Sequence, residues 1–235
     1  MFLTSPPPLR DTIELEVYYG VSSPWALLGA PKLHEIAEQY GLTVYLKPIT
    51  IITENGGIPL KARHDARRAY HALDLIRTAK HLKVDLKPNP KYYPNAPNGI
   101  AQSAQAIIRL QLLYGIGSKE ALEFSYQVQR CIWVTEEGDH CQLDTLRGIA
   151  SRMGLSDEVV ERVVVDRRSD PSDPAVKIWY QNHKEGAEKG MFGTPNYVLN
   201  GEIFWGQDRL WMLEERVKEL LANGAKPVQY NSPRQ

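Results

Sequence analysis

The chain has very little sulfur chemistry of its own. Its two cysteines, Cys131 and Cys141, form neither a Cys-x-x-Cys pair nor a spacing that would hold a metal ion. A disulfide between them is one option. Reduced, packed thiols in a reducing compartment are the favoured one, which makes the expected location intracellular, with the cytoplasm ahead of the mitochondrion or peroxisome. The six histidines make no His-Glu-x-x-His pattern, and no metal site is inferred. No apolar run is long enough to cross a bilayer. Residues 1–12 contain three consecutive prolines, lack the apolar core of a secretory signal and read as a tail. Net charge is missing as well: 28 basic residues meet 28 acidic ones, so no field draws the protein to nucleic acid or an anionic membrane. With 43% hydrophobic residues in 235 there is material for one large domain, or for a smaller domain carrying an insertion.

The most informative stretch runs from Leu15 to Gly29. Ile13, Leu15, Val17 and Tyr19 alternate with Glu14, Glu16 and Tyr18, which predicts a strand with one mostly apolar face. After Gly20, Ser23 stands at a helix N-cap position and Pro24 at the first helical position, where its missing N–H costs nothing. Leu27, Leu28, Leu33, Ile36 and Ala37 recur at helical spacing as far as Tyr40, and Gly41 is the expected stop. A hydroxyl beside the unpaired N–H groups of a helix start is a good place to hold an anion, including a thiolate. Residues 42–48 form a second strand, expected to lie parallel to the first through a right-handed crossover. A loop at 49–59 follows.

From residue 60 to 188 strand signals nearly vanish. Helices are expected at 63–81 (Ala66, Ala69, Tyr70, Leu73 and Ile76 on one side), 100–114, 119–135, 142–153 and 156–165, with a last one opened by Asp173-Pro174. A connector at 87–99 holds four prolines, which forbid a regular helix. Ile107, Ile108, Leu112, Tyr126, Ile132 and Trp133 read as core. Strand character returns in a hairpin on Asn200-Gly201, and Asp208 is expected to cap a final helix that buries Leu210, Leu213, Val217, Leu220 and Leu221. The predicted fold class is α/β: a β-α-β half and a β-β-α half with a large all-helical insertion between them. The boundaries are 13–59 and 189–224 for the α/β domain and 60–188 for the insertion, with tails at 1–12 and 225–235.

Ser23-Pro24-Trp25, Thr194-Pro195 and Gly206-Gln207-Asp208-Arg209 together resemble the thioredoxin-like family of kappa-class glutathione transferases and 2-hydroxychromene-2-carboxylate isomerases. In that family the corresponding segments are a Ser-Pro-aromatic motif, a cis-proline loop and a Gly-x-Asp-Arg turn. The resemblance implies glutathione as cofactor, a small electrophilic substrate, a homodimer and a catalytic role for Ser23, whose hydroxyl donates to the sulfur and favours its ionised form. It also implies that the backbone of Thr194, ahead of a cis Pro195, meets the extended tripeptide. Gln207 and Asp208 would then hold the γ-glutamyl end, and Asn55 and Arg67 the glycyl carboxylate, with Lys61 competing for Arg67's place.

The chain departs from the family at three points. Trp25 stands where Tyr or Phe is frequent, and Gln207 where Ser or Asn is usual. After Asn95-Ala96-Pro97-Asn98 the expected arginines are missing, with only Gln102 and Gln105 ahead of Arg109. Redox relatives of the fold carry cysteines at both ends of the motif, and here those positions are Ser23 and Ala26. A thiol–disulfide oxidoreductase, or a non-catalytic thiol-binding or chaperone module, is the alternative reading.

Overall fold

The computed structural model describes residues 11–93 and 99–230; the expectations for residues 1–10, Pro94–Asn98 and the last five residues lie outside them. The first elements are β1 (Thr12–Ile13), β2 (Leu15–Tyr19), α1 (Pro24–Tyr40) and β3 (Val44–Pro48). Six helices follow: α2 (Asp65–His81), α3 (Ile100–Tyr114), α4 (Lys119–Arg130), α5 (Leu143–Arg152), α6 (Asp157–Val163) and α7 (Pro174–Glu188). The chain then returns to sheet with β4 (Asn196–Leu199) and β5 (Glu202–Trp205), and closes with α8 (Leu210–Ala222) and β6 (Lys226–Pro227). Strand order is β3-β2-β4-β5, with β3 parallel to β2 and the β4–β5 hairpin antiparallel. No helix among the described residues is long and apolar enough to cross a membrane.

The helix-end signals in the sequence are realised locally. Ser23 caps α1 from extended backbone, Pro24 opens it, and Gly41 ends it in the left-handed conformation at φ 64° that a side chain would disfavour. Asn200 turns the hairpin at φ 52°. Its side chain accepts from the Glu14 N–H at 2.8 Å and donates to the Thr12 carbonyl at 2.7 Å, so the turn also holds the strand beside it.

Both faces of the sheet are covered. Leu15, Val17 and Tyr19 point into one buried cluster that runs without a break through α1 and α8 and on into α3, α4, α5 and α6. The opposite face is not the polar one that Glu14, Glu16 and Tyr18 imply, because α7 packs on it. There Tyr18 is fully buried and donates to Glu185 at 2.9 Å, and the buried Lys47 ammonium bridges Glu16 and Glu185 at 2.6 Å each. On edge strand β3, Gln111 of α3 substitutes for a neighbouring strand. Its side chain accepts from Leu46 N–H at 3.1 Å and donates to Leu46 C=O at 2.8 Å.

Three further expectations change, one of them being that Leu112 is exposed rather than core. The tails are shorter than expected, since Thr12–Ile13 pairs in parallel with Lys226–Pro227 and Ala225 is buried. Pairing is possible because β2 and the end of α8 bring these two segments side by side. The stripe on α2 does not face inward: Tyr70, Leu73 and Ile76 are exposed, and the helix is seated through Leu75 and Ala79 instead. Sequence periodicity locates an apolar stripe but not the neighbour that covers it.

Candidate active site

A cavity of about 710 Å³ opens where the β2–α1 turn, the end of β3, the 193–194 loop and the start of α8 converge. Ser22, Ser23, Pro24 and Trp25 form one wall. Gly193, Thr194 and the run from Trp205 to Arg209 form the wall across from the helix start, and Lys61, Arg63 and His71 come from the α2 side. No cysteine lines it. Two larger hollows, of about 940 and 750 Å³, are lined only by residues of the helical insertion. The first is walled in part by Arg109 and Asp173, whose charges are spent on each other at 3.1 Å, so neither is free for a ligand.

Ser23 is half-buried at the helix start. Its hydroxyl oxygen accepts from the Ala26 N–H at a long 3.4 Å, and a hydroxyl that accepts there keeps its own proton to donate elsewhere. The turn before it is held by a residue far away in sequence. The buried Trp133 indole donates to the Ser22 carbonyl at 3.1 Å and packs against Tyr93 at 4.7 Å between ring centroids. Trp133 reaches this position because α4 continues into one π turn over Cys131–Thr135, which rotates the side chains relative to an α-helix. Sequence reasoning assigned Trp133 to the core. It is core, and it is also a tether of the site.

Across the cavity the Thr194–Pro195 peptide is cis. Gly193 has no side chain where the Trp205 indole passes: a Cβ there would lie 2.7 Å from Nε1. Gly29 on α1 likewise leaves room for Tyr197 and Gln207, so the 207–209 turn settles directly on the helix that Ser23 begins. Asp208 does not cap α8, contrary to the expectation. Gln207–Arg209 form a short 3₁₀ turn, α8 starts at Leu210 with no side-chain cap, and the exposed Asp208 carboxylate pairs with Arg209 at 2.6 Å. The positive φ of Gly206 folds the turn so that the carboxylate lies back over it instead of over the helix amides.

The structure thus brings Ser23, Thr194, Gln207 and Asp208 to one cavity. Pro195 lies behind, lining a small internal gap with Tyr19 and Tyr197. Asn55 and Arg67 are not among the lining residues. Both N–H donors of the Asn55 amide are engaged by the Ala187 and Met191 carbonyls at 2.8 Å each, and Arg67 is exposed on α2. Lys61 and Arg63 line the cavity where a cation was expected. Arg109, which the sequence left as the arginine after the connector, is buried against Asp173.

Sequence reasoning also missed His71. The Trp25 indole donates to His71 Nε2 at 3.0 Å, and the two rings meet edge-on at 5.5 Å. The aromatic at position 25 was a signal, but nothing in the sequence named its partner. Burial and the nearby Arg63 guanidinium hold the imidazole below its usual pKa, with Asp74 pulling the other way.

Both cysteines are buried, and no disulfide joins them. Burial, with Glu137 nearby, pushes the Cys131 thiol up to about 11. Cys141 stands beside Asp139 and His140, and the three offer ligand atoms within 4.8 Å of one another. Within that group the Cys141 N–H donates to Asp139 at 2.9 Å, and Ser103 lies 3.3 Å from His140 Nδ1.

Residues 14–218 match the model of the DSBA-like thioredoxin domain, and the chain belongs to that family. It is similar to 2-hydroxychromene-2-carboxylate isomerase of Pseudomonas putida, 24% identical over 212 residues, covering 90% of this chain and 97% of the relative. Among solved structures, a 2-hydroxychromene-2-carboxylate isomerase superposes with a TM-score of 0.69 at 22% identity over 90% of this chain and 97% of that one. The cytosolic disulfide reductase DsbM from Pseudomonas aeruginosa, solved with GSH, superposes at 0.59 and 18% identity over 89% and 98%. At those identities the two structures attest the fold.

Proposed function

We propose that this DSBA-like chain is a glutathione-dependent isomerase or transferase acting on a small electrophile, with Ser23 as the catalytic residue. The observation that carries the reading is the Ser23 hydroxyl: it stands at the start of α1, borders a cavity free of cysteine and keeps a proton to donate. When bound, glutathione supplies a sulfur nucleophile that adds to an electrophilic carbon and, in an isomerisation, leaves again. The chain's part is to bind, orient and favour ionisation. Ser23 O–H donates to the sulfur, and the helix start adds a favourable field for negative charge.

The residues present fit the tripeptide. A cavity of about 710 Å³ is in the range that encloses a small ligand and leaves room for a second. Its charged rim matches two carboxylates and one ammonium. Gln207 and Asp208 take the γ-glutamyl end beside Thr194. Lys61 and Arg63, rather than Asn55 and Arg67, take the glycyl carboxylate, because they line the cavity and the Asn55 donors are already used. The likeness to the Pseudomonas putida isomerase over nearly its whole length supports an isomerase ahead of a transferase. The dithiol chemistry of the reductase neighbours is disfavoured, since positions 23 and 26 hold Ser and Ala.

The test is retention on immobilised glutathione, followed by turnover of a generic electrophile by parent and Ser23→Ala protein. Retention of both with turnover lost only in the variant supports the reading. Failure of the parent to bind glutathione ends it.

A further inference from the structure

Trp25 follows directly on the Ser23-Pro24 helix start, so its indole borders the space where an electrophile must approach a sulfur held at Ser23. The indole N–H is tied by the 3.0 Å hydrogen bond to His71 on α2, and the side chain also packs against the main core. An indole N–H can only donate, so His71 Nε2 carries no proton, and the neutral ring holds its proton on Nδ1. The two rings meet edge-on, with 90° between their planes. Both side chains are half-buried and line the cavity.

We propose that His71 is a positioning residue: by accepting the Trp25 N–H it sets the indole as a flat wall for a planar aromatic electrophile, and the wall holds only while the imidazole is neutral. The inference rests on the reading of this cavity as the place where sulfur and electrophile meet. Protonation would put a hydrogen on Nε2 facing the indole N–H, two donors with no acceptor between them, and the indole would be released. The charged groups that bear on the imidazole are Arg63, from the turn before α2, and Asp74, one helical turn on. The first opposes protonation and the second favours it. Because burial and Arg63 win, the ring is neutral at pH 7–8, and the wall should loosen only as pH falls below the ordinary histidine value of 6.5.

The probe is 1,3-dinitrobenzene, a planar nitroarene that does not react with thiols, titrated into the full chain while the indole N–H resonance of Trp25 is followed. That resonance is assigned as the one missing from Trp25→Phe, which separates it from Trp179, a second indole packed on a histidine, His183. The expected result is a resonance that shifts with a midpoint below pH 6.5 in the parent and stays flat in His71→Gln, whose amide oxygen accepts at any pH. At pH 7.5, His71→Ala should bind the probe about five- to tenfold more weakly, the value of one hydrogen bond, and His71→Gln within about twofold of the parent. At a pH below the midpoint of that resonance the parent should fall toward the His71→Ala level while His71→Gln holds. A parent resonance that does not titrate overturns the proposal, as does a His71→Ala protein that binds like the parent, or a His71→Gln protein that loses affinity with pH as the parent does. None of these readouts uses glutathione. A protein that behaves as expected but is not retained by the tripeptide would sink the proposed function and leave the His71–Trp25 wall standing.

Discussion

Two helices of this molecule begin the same way, α1 with Ser23-Pro24 and α7 with Asp173-Pro174, yet the starts are put to opposite uses. At α7 the cap is closed. Asp173 accepts from Ala175 and Val176 N–H at 2.8 and 3.2 Å, its other oxygen takes the Arg109 guanidinium at 3.1 Å, and the group is buried. At α1 the cap is open: one long 3.4 Å bond, half burial and a cavity in front. The same local signal, a polar side chain followed by proline, fixes a helix start in both places. What surrounds it decides whether the side chain's bonding capacity is consumed by the fold or left for chemistry.

The contrast can be tested from its strong end. Asp173→Ala should destabilise the protein by about 3–5 kcal/mol, because it strands the buried Arg109 charge as well as two helix amides. Urea denaturation reads this, and a loss below about 1 kcal/mol would show that the α7 start is no more committed than the other. Ser23→Ala should do the reverse. Stability should change by less than about 1 kcal/mol, since the cap bond is long. Turnover should fall on the order of 10- to 150-fold, the worth of a hydrogen bond to a charged sulfur at about 1.5–3 kcal/mol. Glutathione affinity should barely move. Equal loss of affinity and turnover would place the serine in binding rather than ionisation.

Trp133→Phe keeps a ring in the core but removes the donor to Ser22. The expected cost is about 1 kcal/mol in stability and a several-fold loss of turnover; unchanged turnover would mean that the Ser23 turn holds its shape without the tether. The smallest effect belongs to Cys131→Ser/Cys141→Ser. With the Cys131 thiol at about 11 and both cysteines buried, neither should alkylate readily in the folded protein at pH 8. Conjugation should survive the double change, and dithiol-driven insulin reduction should be absent before and after it. Reductase activity in the parent that vanishes in the variant would identify a different thiol as the reactive one.

The elements that were legible in sequence are those whose signals are local. Pro24 and Gly41 bound α1 through backbone geometry alone, Asn200-Gly201 makes its hairpin, and Leu210, Leu213, Val217 and Leu220 face inward on α8 as their spacing requires. The readings that failed depended on a neighbour. Asp208 is a good capping residue, but Gly206 turns the chain so that the carboxylate misses the helix amides and meets Arg209. Asn55 has the chemistry to hold a carboxylate, yet α7 and the following loop bring two carbonyls to its amide. The apolar stripe of α2 was found correctly and its direction was not.

The sequence by itself determined the order of helices and strands from β2 to α8, the serine at a helix start, the absence of a redox cysteine there and the three segments that carry the resemblance. All of these follow from which residues are adjacent along the chain. Only the tertiary structure decided that Ser23 keeps a proton while Asp173 keeps no spare capacity, that Lys61 and Arg63 line the cavity in place of Arg67, that Trp133 reaches Ser22 and that His71 meets Trp25. Those pairs lie 46 or more positions apart in both directly hydrogen-bonded cases, His71–Trp25 and Trp133–Ser22. Over such separations a hydrogen bond depends on how helices pack against the sheet, and neither propensity nor periodicity encodes that packing residue by residue.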